Sequence, residues 1–504
     1  MIIMSSSFSQ ELLISTLVLL VPMYFYFRYS SRSKNSTMLP TNWPILHMLP
    51  SFLANSHNLH DYLSIVLAES GHNFKAHGPV GSGMRLLITC DPANVRHIFT
   101  TNYTNFPKGA EFAAIFDIMA GSLFTIDGAP SLRPRAKIQS VLSNPRLVAS
   151  MATCCRDKVE NGLLPLFSHL ASTGTPFDMQ EVFSRFMFDL AATPLFGVDP
   201  GLLSFSLDMS MPPMDVAVAM DTVMEVGFIR HLIPASCSKA MRRLNIGSER
   251  KLRMAHTVVR RFAAEMIEER SKITLNGGRC ALSNDDEHED ILSSYINDPD
   301  YKVNDLLHAV LLRFMLAGRD MIGTTLPWVF SPIASRKVPA STGAMMIFEP
   351  EDTKPLVYLR AALYETLRLY PPAPIERKTV AAADIMPSGH EVKVGDTILK
   401  SLHSMGRMED LWGKDCLDYN PNRWLSKDGN TLTYVPSHKF LAFNSGSRIC
   451  PGKEIAVMQM KTVVATVLWN FDVEVVEGQI IQPKPPCILQ MKNGFIVKLR
   501  KREL

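Results

Sequence analysis

The fold of this chain is decided by one stretch of sequence, Phe443-Asn444-Ser445-Gly446-Ser447-Arg448-Ile449-Cys450-Pro451-Gly452. Its cysteine stands two residues after an arginine and between two glycines, and a periodic apolar segment follows at residues 455–464. Glycine permits backbone turns that other residues resist. A thiolate at the N-terminus of a helix is stabilised by free N–H groups and by the helix dipole. The stretch therefore predicts a cysteine that a loop presents at the start of a helix.

Two further motifs precede this loop along the chain. The sequence Glu365-Thr366-Leu367-Arg368 lies in an apolar-periodic segment that ends at Pro371-Pro372, which predicts a helix. Its Glu and Arg are three positions apart and share one helix face, which by itself is typical of an ordinary surface pair. The second motif, Pro421-Asn422-Arg423-Trp424, lies between this helix and the cysteine loop.

Together, the three motifs resemble those of the cytochrome P-450 superfamily, which are F-x-x-G-x-R-x-C-x-G, E-x-x-R and P-x-R-[FW]. The resemblance implies haem b as the cofactor, with Cys450 as the axial ligand of its iron and Arg448 paired with a haem propionate. It also assigns Phe443, Gly446 and Gly452 to the haem-binding loop. Thiolate ligation donates electron density that favours O–O cleavage.

The E-x-x-R pair has a structural role in this superfamily. The resemblance implies that Glu365 and Arg368 are buried and that Arg423 joins them. The fold that it implies is mainly α with small β-sheets, arranged as one large haem domain behind an N-terminal membrane anchor.

The resemblance covers nearly the whole chain and extends to one plant branch through residues 105–109, 244–250 and 440–443. That branch holds fatty-acid omega-hydroxylases, midchain alkane hydroxylases and phenol-coupling enzymes similar to noroxomaritidine synthase. The resemblance implies a monooxygenase that hydroxylates a hydrophobic small molecule of the long-chain fatty-acid or alkane type with O2. The electrons would come from a separate NADPH–cytochrome reductase, so NADPH acts only indirectly.

Composition and charge agree with an enzyme that has a large core. The chain of 504 residues is 46% hydrophobic and 20% charged, with a net charge of +4. Disordered proteins combine low hydrophobicity with high net charge, and this chain has neither. The positive charge is small and scattered, whereas a nucleic-acid protein would cluster it on one face, so no nucleic-acid partner is expected.

The apolar run at residues 12–27, followed by Arg28, predicts an uncleaved single-pass anchor at residues 1–28. The charge that follows it places the catalytic domain in the cytosol, and the resemblance identifies the membrane as the endoplasmic reticulum. A proline-containing linker is expected at 29–54 and the haem-thiolate domain at 55–504. Within that domain, residues 85–90 predict a short strand, and Asp91 predicts the cap of a following helix.

The oxygen-binding helix departs from the family pattern. Ala317-Gly318-Arg319-Asp320 fits the family's A-G-x-D, but Met321 stands where the family has Thr. That hydroxyl normally holds water and relays protons, and a thioether is a poor acceptor and no donor. Asp320 is expected to be catalytic, and Thr324 could replace the lost hydroxyl only if the helix shifted. We expect impaired or uncoupled oxygenation.

Two other departures concern helices. Ser131 stands at the Trp position of the family's W-x-x-x-R, while Arg135 remains as a propionate partner. Pro134 is expected to be tolerated only near the first turn of that helix. After Phe330, a proline-dotted loop that begins at Ser331 is expected where the family has another amphipathic helix. One helix is therefore expected to be missing, through a deletion, an omitted exon or decay of the gene copy.

The remaining predictions concern the pocket and the reaction. By position in the family pattern the substrate pocket includes Phe112, Phe116, Phe314, Ala317, Ile375 and Leu489, for each of which ordinary core packing is an equally good interpretation. Oxidative phenol coupling on the same haem is one alternative function, because it needs no oxygen insertion into substrate. A catalytically impaired haem-binding remnant is the other.

Overall fold

The computed structural model describes residues 38–204, 211, 213–275, 290–296, 298–301, 304–333, 345–485 and 487–502. The anchor expected at 1–28 lies outside the described residues. No helix among the described residues is both long enough and apolar enough to cross a membrane. The chain divides into two units, 1–41 and 42–504. Residues 42–54, which were expected to belong to the linker, fall in the second unit, to which the following description applies.

This unit is mainly helical, as predicted. Its α-helices, in chain order, are α1 (Leu49–Ala54), α2 (Leu59–Glu69), α3 (Pro92–Arg96), α4 (Gly109–Ile115), α5 (Ala129–Leu142), α6 (Pro145–Lys158), α7 (Leu164–Thr173), α8 (Met179–Phe196), α9 (Asp215–Leu232), α10 (Ala235–Leu244), α11 (Gly247–Leu275), α12 (Ile291–Ile296), α13 (Asn304–Met315), α14 (Met321–Ile333), α15 (Pro350–Thr353), α16 (Val357–Leu369), α17 (Leu402–Met405), α18 (Glu409–Trp412) and α19 (Lys453–Asn470). Tighter 3₁₀ turns occur at Ser56–Asn58, Tyr103–Asn105, Asp117–Met119, Pro299–Tyr301, Pro421–Trp424 and Gly446–Arg448. Wider π turns occur at His97–Thr101, Val159–Leu163 and Leu316–Asp320.

The strands form small sheets, so the prediction of a mainly α fold with small β-sheets is confirmed. They are β1 (Asn73–His77), β2 (Arg85–Thr89), β3 (Phe177–Asp178), β4 (Ile375–Thr379), β5 (Asp384–Ile385), β6 (Glu391–Val392), β7 (Thr397–Ser401), β8 (Phe471–Val475) and β9 (Ile496–Lys501). The sheets have the orders β1-β2-β7-β4, β3-β9-β8 and β5-β6. In the first sheet β2 and β7 are parallel, with Leu87 opposite Ile398, and the other pairs are antiparallel.

The core is centred on α8, which is buried on nearly every face, as expected of a helix that is apolar all round. The Asp178 side chain caps its start by accepting a hydrogen bond from the Gln180 N–H, and Gly197 ends it with a φ of 69°. The Phe183 ring stacks on that of Phe330 from α14, with centroids 5.5 Å apart. Burial of one such ring contributes about 1.5–3 kcal/mol, so α8 and α14 hold each other rigidly beneath the site.

The helix after the A-G-x-D sequence continues further than predicted. The prediction that a loop begins at Ser331 was wrong, because α14 includes Ser331 and Pro332 and ends at Ile333. Residues 334–344 lie outside the described residues, so the absence of a further helix there stays a prediction. Downstream, α15 is a single turn that the Glu349 and Asp352 side chains cap reciprocally.

Pro134 occupies a different place in its helix from the one expected. Helix α5 begins at Ala129, directly after Gly128 with a φ of 62°, so Pro134 lies in the helix interior rather than in the first turn. The expectation of a first-turn position was therefore wrong. Proline has no N–H, and at this position it removes one of the earliest intrahelical hydrogen bonds and leaves the later ones in place.

Candidate active site

An apolar cavity of about 530 Å³ lies between α4, the α13–α14 segment, β4 and the cysteine loop. Of the pocket residues predicted from sequence, those that line it are Phe112, Phe116, Phe314, Ala317 and Ile375. Leu489 is not among the residues that line the described cavity. It is fully buried in the core, where its carbonyl accepts a 2.7 Å hydrogen bond from the Trp328 indole N–H. Its neighbours Cys487 and Ile488 face the cavity instead.

The cysteine loop places Cys450 at the cavity wall, three residues before the first residue of α19. The Cys450 N–H donates to the Phe443 carbonyl over 2.8 Å, which closes the loop. Although the residue is exposed to the cavity, burial by the surrounding protein raises the pKa of its thiol. The Gly452 N–H and the charges of Arg135, Arg313 and Lys453 act in the opposite direction. A bound metal ion would replace the thiol proton, because the thiolate is the ligand form.

Gly446 is required by the geometry of this loop. Its φ is 57°, and a Cβ there would lie 2.3 Å from the Phe99 carbonyl oxygen. The loop therefore packs directly on the backbone of the π turn His97–Thr101.

We expect Gly446→Ala to lower the free energy of unfolding by more than about 1–2 kcal/mol, the usual penalty of a left-handed non-glycine residue, because backbone overlap adds to it. Gly478→Ala is the matched control, since its φ is 80° and nothing lies within 4 Å of the added Cβ. Urea unfolding of both variants gives the comparison. Equal losses would show that the contact with Phe99 contributes nothing.

Basic side chains concentrate near Cys450. Lys108, Arg313 and Arg448 line the cavity together with it. Arg135, which was predicted to bind a propionate, is not part of the described lining, and its Nη2 donates to the Ile449 carbonyl over 2.5 Å.

The residues present fit haem b. Cys450 offers a thiolate for iron, the apolar wall offers contact for the flat ring, and the basic side chains offer partners for two propionates. Arg313 supports this fit most directly, because its Nε and Nη2 are buried without a hydrogen-bond partner in the described part of the chain. A buried guanidinium edge of this kind favours a bound anion. Arg448 is in contact with Asp127, so its guanidinium already has one partner within the protein.

A second cluster of charges lies behind the cavity and is centred on Glu365. The Glu365 carboxylate and the Arg368 guanidinium form two parallel 2.8 Å hydrogen bonds, with both side chains fully buried. Arg423 donates to the same carboxylate over 2.9 Å, and so does the Trp424 indole N–H. Burial raises the pKa of Glu365, but the hydrogen bonds and charges of Arg368, the Asn420 N–H and Arg423 outweigh it and leave the pKa lowered.

Arg368 also connects this cluster to the chain between β7 and the cysteine loop. Its guanidinium donates to the carbonyls of Gly406, Cys416 and Asp418. The carboxylate of Glu365 and the two guanidiniums therefore fix α16 against a long irregular segment that leads to Cys450.

The A-G-x-D sequence forms a π turn, Leu316–Asp320, in which the helix widens. Such turns are frequent at functional sites. Asp320 is buried and lies outside the described cavity lining; its Oδ1 accepts from Arg319 over 2.6 Å, and its Oδ2 has no partner among the described residues. Burial raises the pKa of Asp320 to about 6, although the Arg319 charge lowers it. Arg319 also donates to Asp221 over 2.7 Å.

The position of the usual threonine faces the cavity. Met321 lines it, as does Thr325, whereas Thr324 is buried outside the described lining. The Thr325 hydroxyl donates to the Met321 carbonyl over 2.7 Å, so its proton already forms a hydrogen bond with the backbone.

Sequence reasoning missed several polar residues of the cavity, among them His231 and Glu376. The pKa of His231 is lowered to about 4. Burial is the main cause, the nearby charge of Arg377 adds to it, and a hydrogen bond to Gly227 acts in the opposite direction. Burial opposes ionisation of Glu376, but the charges of Lys400 and Lys378 dominate and lower its pKa to about 2. Neither residue belongs to a short motif, so no local signal identifies them.

Comparison with known proteins agrees with this geometry. The family model described as Cytochrome P450 matches residues 39–499, so the chain belongs to the cytochrome P450 family. Members use haem b and electrons from NADPH through a reductase, and they act as monooxygenases, oxidoreductases that use O2.

Three curated relatives from plants illustrate the similarity. Noroxomaritidine synthase 2 of Narcissus aff. pseudonarcissus MK-2014 is 33% identical over 520 residues, covering 100% of this chain and 98% of the relative. Alkane hydroxylase MAH1 of Arabidopsis thaliana is 34% identical over 495 residues, covering 96% of this chain and 97% of the relative. Cytochrome P450 86B1 of Arabidopsis thaliana is 33% identical over 504 residues, covering 94% and 88%.

Proposed function

We propose that this chain hydroxylates a long, hydrophobic substrate of the fatty-acid or alkane type. The observation that carries the proposal is the opening of Cys450 into an apolar cavity walled by Phe112, Phe116 and Phe314. The similarity to a plant enzyme named alkane hydroxylase supports this substrate class. The overall reaction is R–H + O2 + NADPH + H⁺ giving R–OH + H2O + NADP⁺.

The proposed roles follow from where the side chains lie. Cys450 would supply the thiolate that holds the haem iron, and the loop carrying Phe443, Gly446 and Gly452 fixes its sulfur at the cavity wall. When bound, a thiolate-ligated haem supplies oxygen activation. Arg448 and Arg135 lie near enough to Cys450 to pair with propionates once their present partners are exchanged.

The buried Glu365 and Arg368 and the partly exposed Arg423 act as structural support for the loop. The oxygen-binding helix has its own positioning contacts. Arg319 holds Asp320 in place, and the widened turn brings Ala317 and Gly318 to the cavity. Asp320 is a proton-holding residue in this proposal, because burial keeps its pKa near the physiological range.

Coupling of NADPH use to product formation is proposed to be poor in this chain. Met321 contributes no hydroxyl to the cavity, and the Thr325 hydroxyl is bonded to the backbone. Water at this position therefore lacks a side chain that both accepts and donates a proton.

We expect Met321→Thr to raise the ratio of hydroxylated product to NADPH consumed by about tenfold or more, since positioned proton transfer contributes about 10²–10⁴-fold in rate. Met321→Val is the matched control, because it has the shape of threonine without the hydroxyl. NADPH oxidation and product are measured together for both variants. An equal gain in both would assign the effect to cavity volume and contradict the proton-relay role.

We also propose that residues 1–28 anchor the chain in the endoplasmic reticulum membrane by a single pass, with residues 55–504 in the cytosol. The apolar run at 12–27 and the Arg28 that follows it support this. Protease digestion of sealed microsomes tests the orientation. The catalytic domain should be degraded without detergent, and its protection would contradict the proposed orientation.

The missing helix after the oxygen-binding helix is a further proposal. The transcript sequence between Phe330 and Ser331 tests it directly. Additional codons for an amphipathic helix would identify an omitted exon. A transcript without additional codons would show that the deletion lies in the gene itself.

Oxidative phenol coupling is the second candidate function, and Met321 favours it, because coupling needs no oxygen insertion into substrate. The similarity to noroxomaritidine synthase 2 supports the same candidate. A panel of fatty acid, alkane and diphenolic substrates separates the candidates: a hydroxylated product supports hydroxylation, and a carbon–carbon-coupled product supports phenol coupling. Turnover of none, in a chain that holds haem, supports the third candidate, an impaired haem-binding remnant.

A further inference from the structure

The Arg313 side chain is half-buried and faces the cavity, and none of the described residues forms an ion pair with it. It lies in the last turns of α13 and lines the cavity together with Cys450. Within the described part of the chain its Nε and Nη2 have no hydrogen-bond partner. Its guanidinium carbon lies 4.2 Å from the ring centroid of Phe314.

The surroundings of Arg313 differ from those of its neighbour on the same segment. Arg319 is buried, and its guanidinium contacts the carboxylates of Asp221 and Asp320 at 2.7 and 2.6 Å. The titratable groups that act on Arg313 are the phenols of Tyr295 and Tyr301, which carry no charge at neutral pH, and the Cys450 thiol, whose pKa burial raises. A buried guanidinium edge that the described residues do not compensate is unfavourable, so this position favours a bound anion.

We propose that Arg313 binds a carboxylate of a ligand held in this cavity. The inference rests on the proposed haem site and adds a residue to it. The unpaired Nε and Nη2 form one edge of the guanidinium, and that edge matches the two oxygens of a carboxylate. The rest of the wall is largely apolar, so one carboxylate group on a hydrophobic body satisfies both the charge and the surface.

Two molecules that the proposed reaction brings into this cavity carry a carboxylate group. One is haem b, through a propionate, and the location of Arg313 near Cys450 and Lys108 agrees with it. The other is a long-chain fatty acid, and contact with Phe314 and the apolar wall agrees with that. The site chemistry is the same for both, and experiments on the two ligands distinguish them.

The first experiment measures haem loss. Purified full-length protein is mixed with excess apomyoglobin, and transfer of haem is followed by absorbance. If Arg313 holds a propionate, Arg313→Met should lose haem about 10–100-fold faster, the range that a charged hydrogen bond represents, and Arg313→Lys should lie between. Arg133→Met is the control, because Arg133 is 71% exposed and pairs with Asp300 at the surface.

The second experiment measures substrate binding in the same haem-loaded proteins. Each is titrated with a long-chain fatty acid and with the alkane of equal length, and the shift of the haem absorption band gives Kd. If Arg313 holds the substrate carboxylate, Arg313→Met should raise the Kd of the acid about 10–100-fold and leave that of the alkane unchanged.

The proposal is overturned if Arg313→Met and Arg133→Met agree in both haem-loss rate and fatty-acid Kd. Circular dichroism shows whether Arg313→Met folds. If it does not, Arg313→Lys is compared with Arg133→Met by the same criteria. The lysine of Arg313→Lys keeps the charge but cannot make the two-point contact. A wild-type chain that takes up no haem refutes the proposed function itself, before any variant is compared.

Discussion

Replacing Cys450 by alanine is expected to abolish the thiolate signature in the spectrum of the reduced carbon monoxide complex. Cys450 is the thiol that the cysteine loop presents at the cavity wall, and the loop is closed by the 2.8 Å hydrogen bond from the Cys450 N–H to the Phe443 carbonyl. That bond uses only backbone atoms, so Cys450→Ala should keep the loop while it removes the sulfur. Haem uptake should fall with the signature, because the axial ligand is lost.

Cys487→Ala is the control for this prediction. Cys487 also lines the cavity, but it lies outside the loop that carries the haem-binding pattern, so it is not expected to bind the iron. Its loss should leave the spectrum unchanged. A Cys450→Ala protein that keeps the thiolate spectrum would contradict the assignment of the ligand.

Replacing Glu365 by alanine is expected to lower the free energy of unfolding by about 3–5 kcal/mol, the usual cost of breaking a buried ion pair. The carboxylate faces two guanidiniums, those of Arg368 and Arg423, and both would remain without their shared counter-ion. The Trp424 indole N–H would lose its acceptor as well. Urea unfolding followed by circular dichroism gives the change.

The control is Glu454→Ala. The Glu454 side chain is 72% exposed and pairs with Arg360 at 3.1 Å, and exposed pairs contribute about 0–1 kcal/mol. A similar loss in both variants would contradict the structural importance of Glu365. The folded-state pKa of Glu365 lies below its ordinary value of 4.5. Its ionised form therefore stabilises the fold above that pH, and the contribution is lost as the pH falls through the folded-state pKa.

Local motifs made much of the fold and part of the site predictable. The strand over residues 85–90 is observed as β2, and the Asp91 side chain caps α3 by accepting from the Ala93 N–H, as predicted. The cysteine loop and the E-x-x-R pair are equally local, because each is a short run of residues whose backbone geometry or helix face is set by its own sequence.

The cavity lining was less predictable, because it depends on neighbours distant in the chain. Leu489 and Ile488 are adjacent in sequence, yet one is in the core and the other faces the cavity. Thr324 and Thr325 differ in the same way, since one residue of shift rotates a side chain about 100° around a helix. Arg313 gave no motif signal, although a single charge inside an apolar-periodic segment could have marked it.

Oxygen-isotope labelling tests the central claim most directly. The purified full-length chain, with an NADPH–cytochrome reductase, is given a long-chain fatty acid or alkane under ¹⁸O₂, and the product is analysed by mass spectrometry. If the cavity over Cys450 is the site of oxygen insertion, the hydroxylated product carries one ¹⁸O atom, and Cys450→Ala forms none. NADPH consumption without labelled product from any such substrate would contradict the proposed hydroxylation.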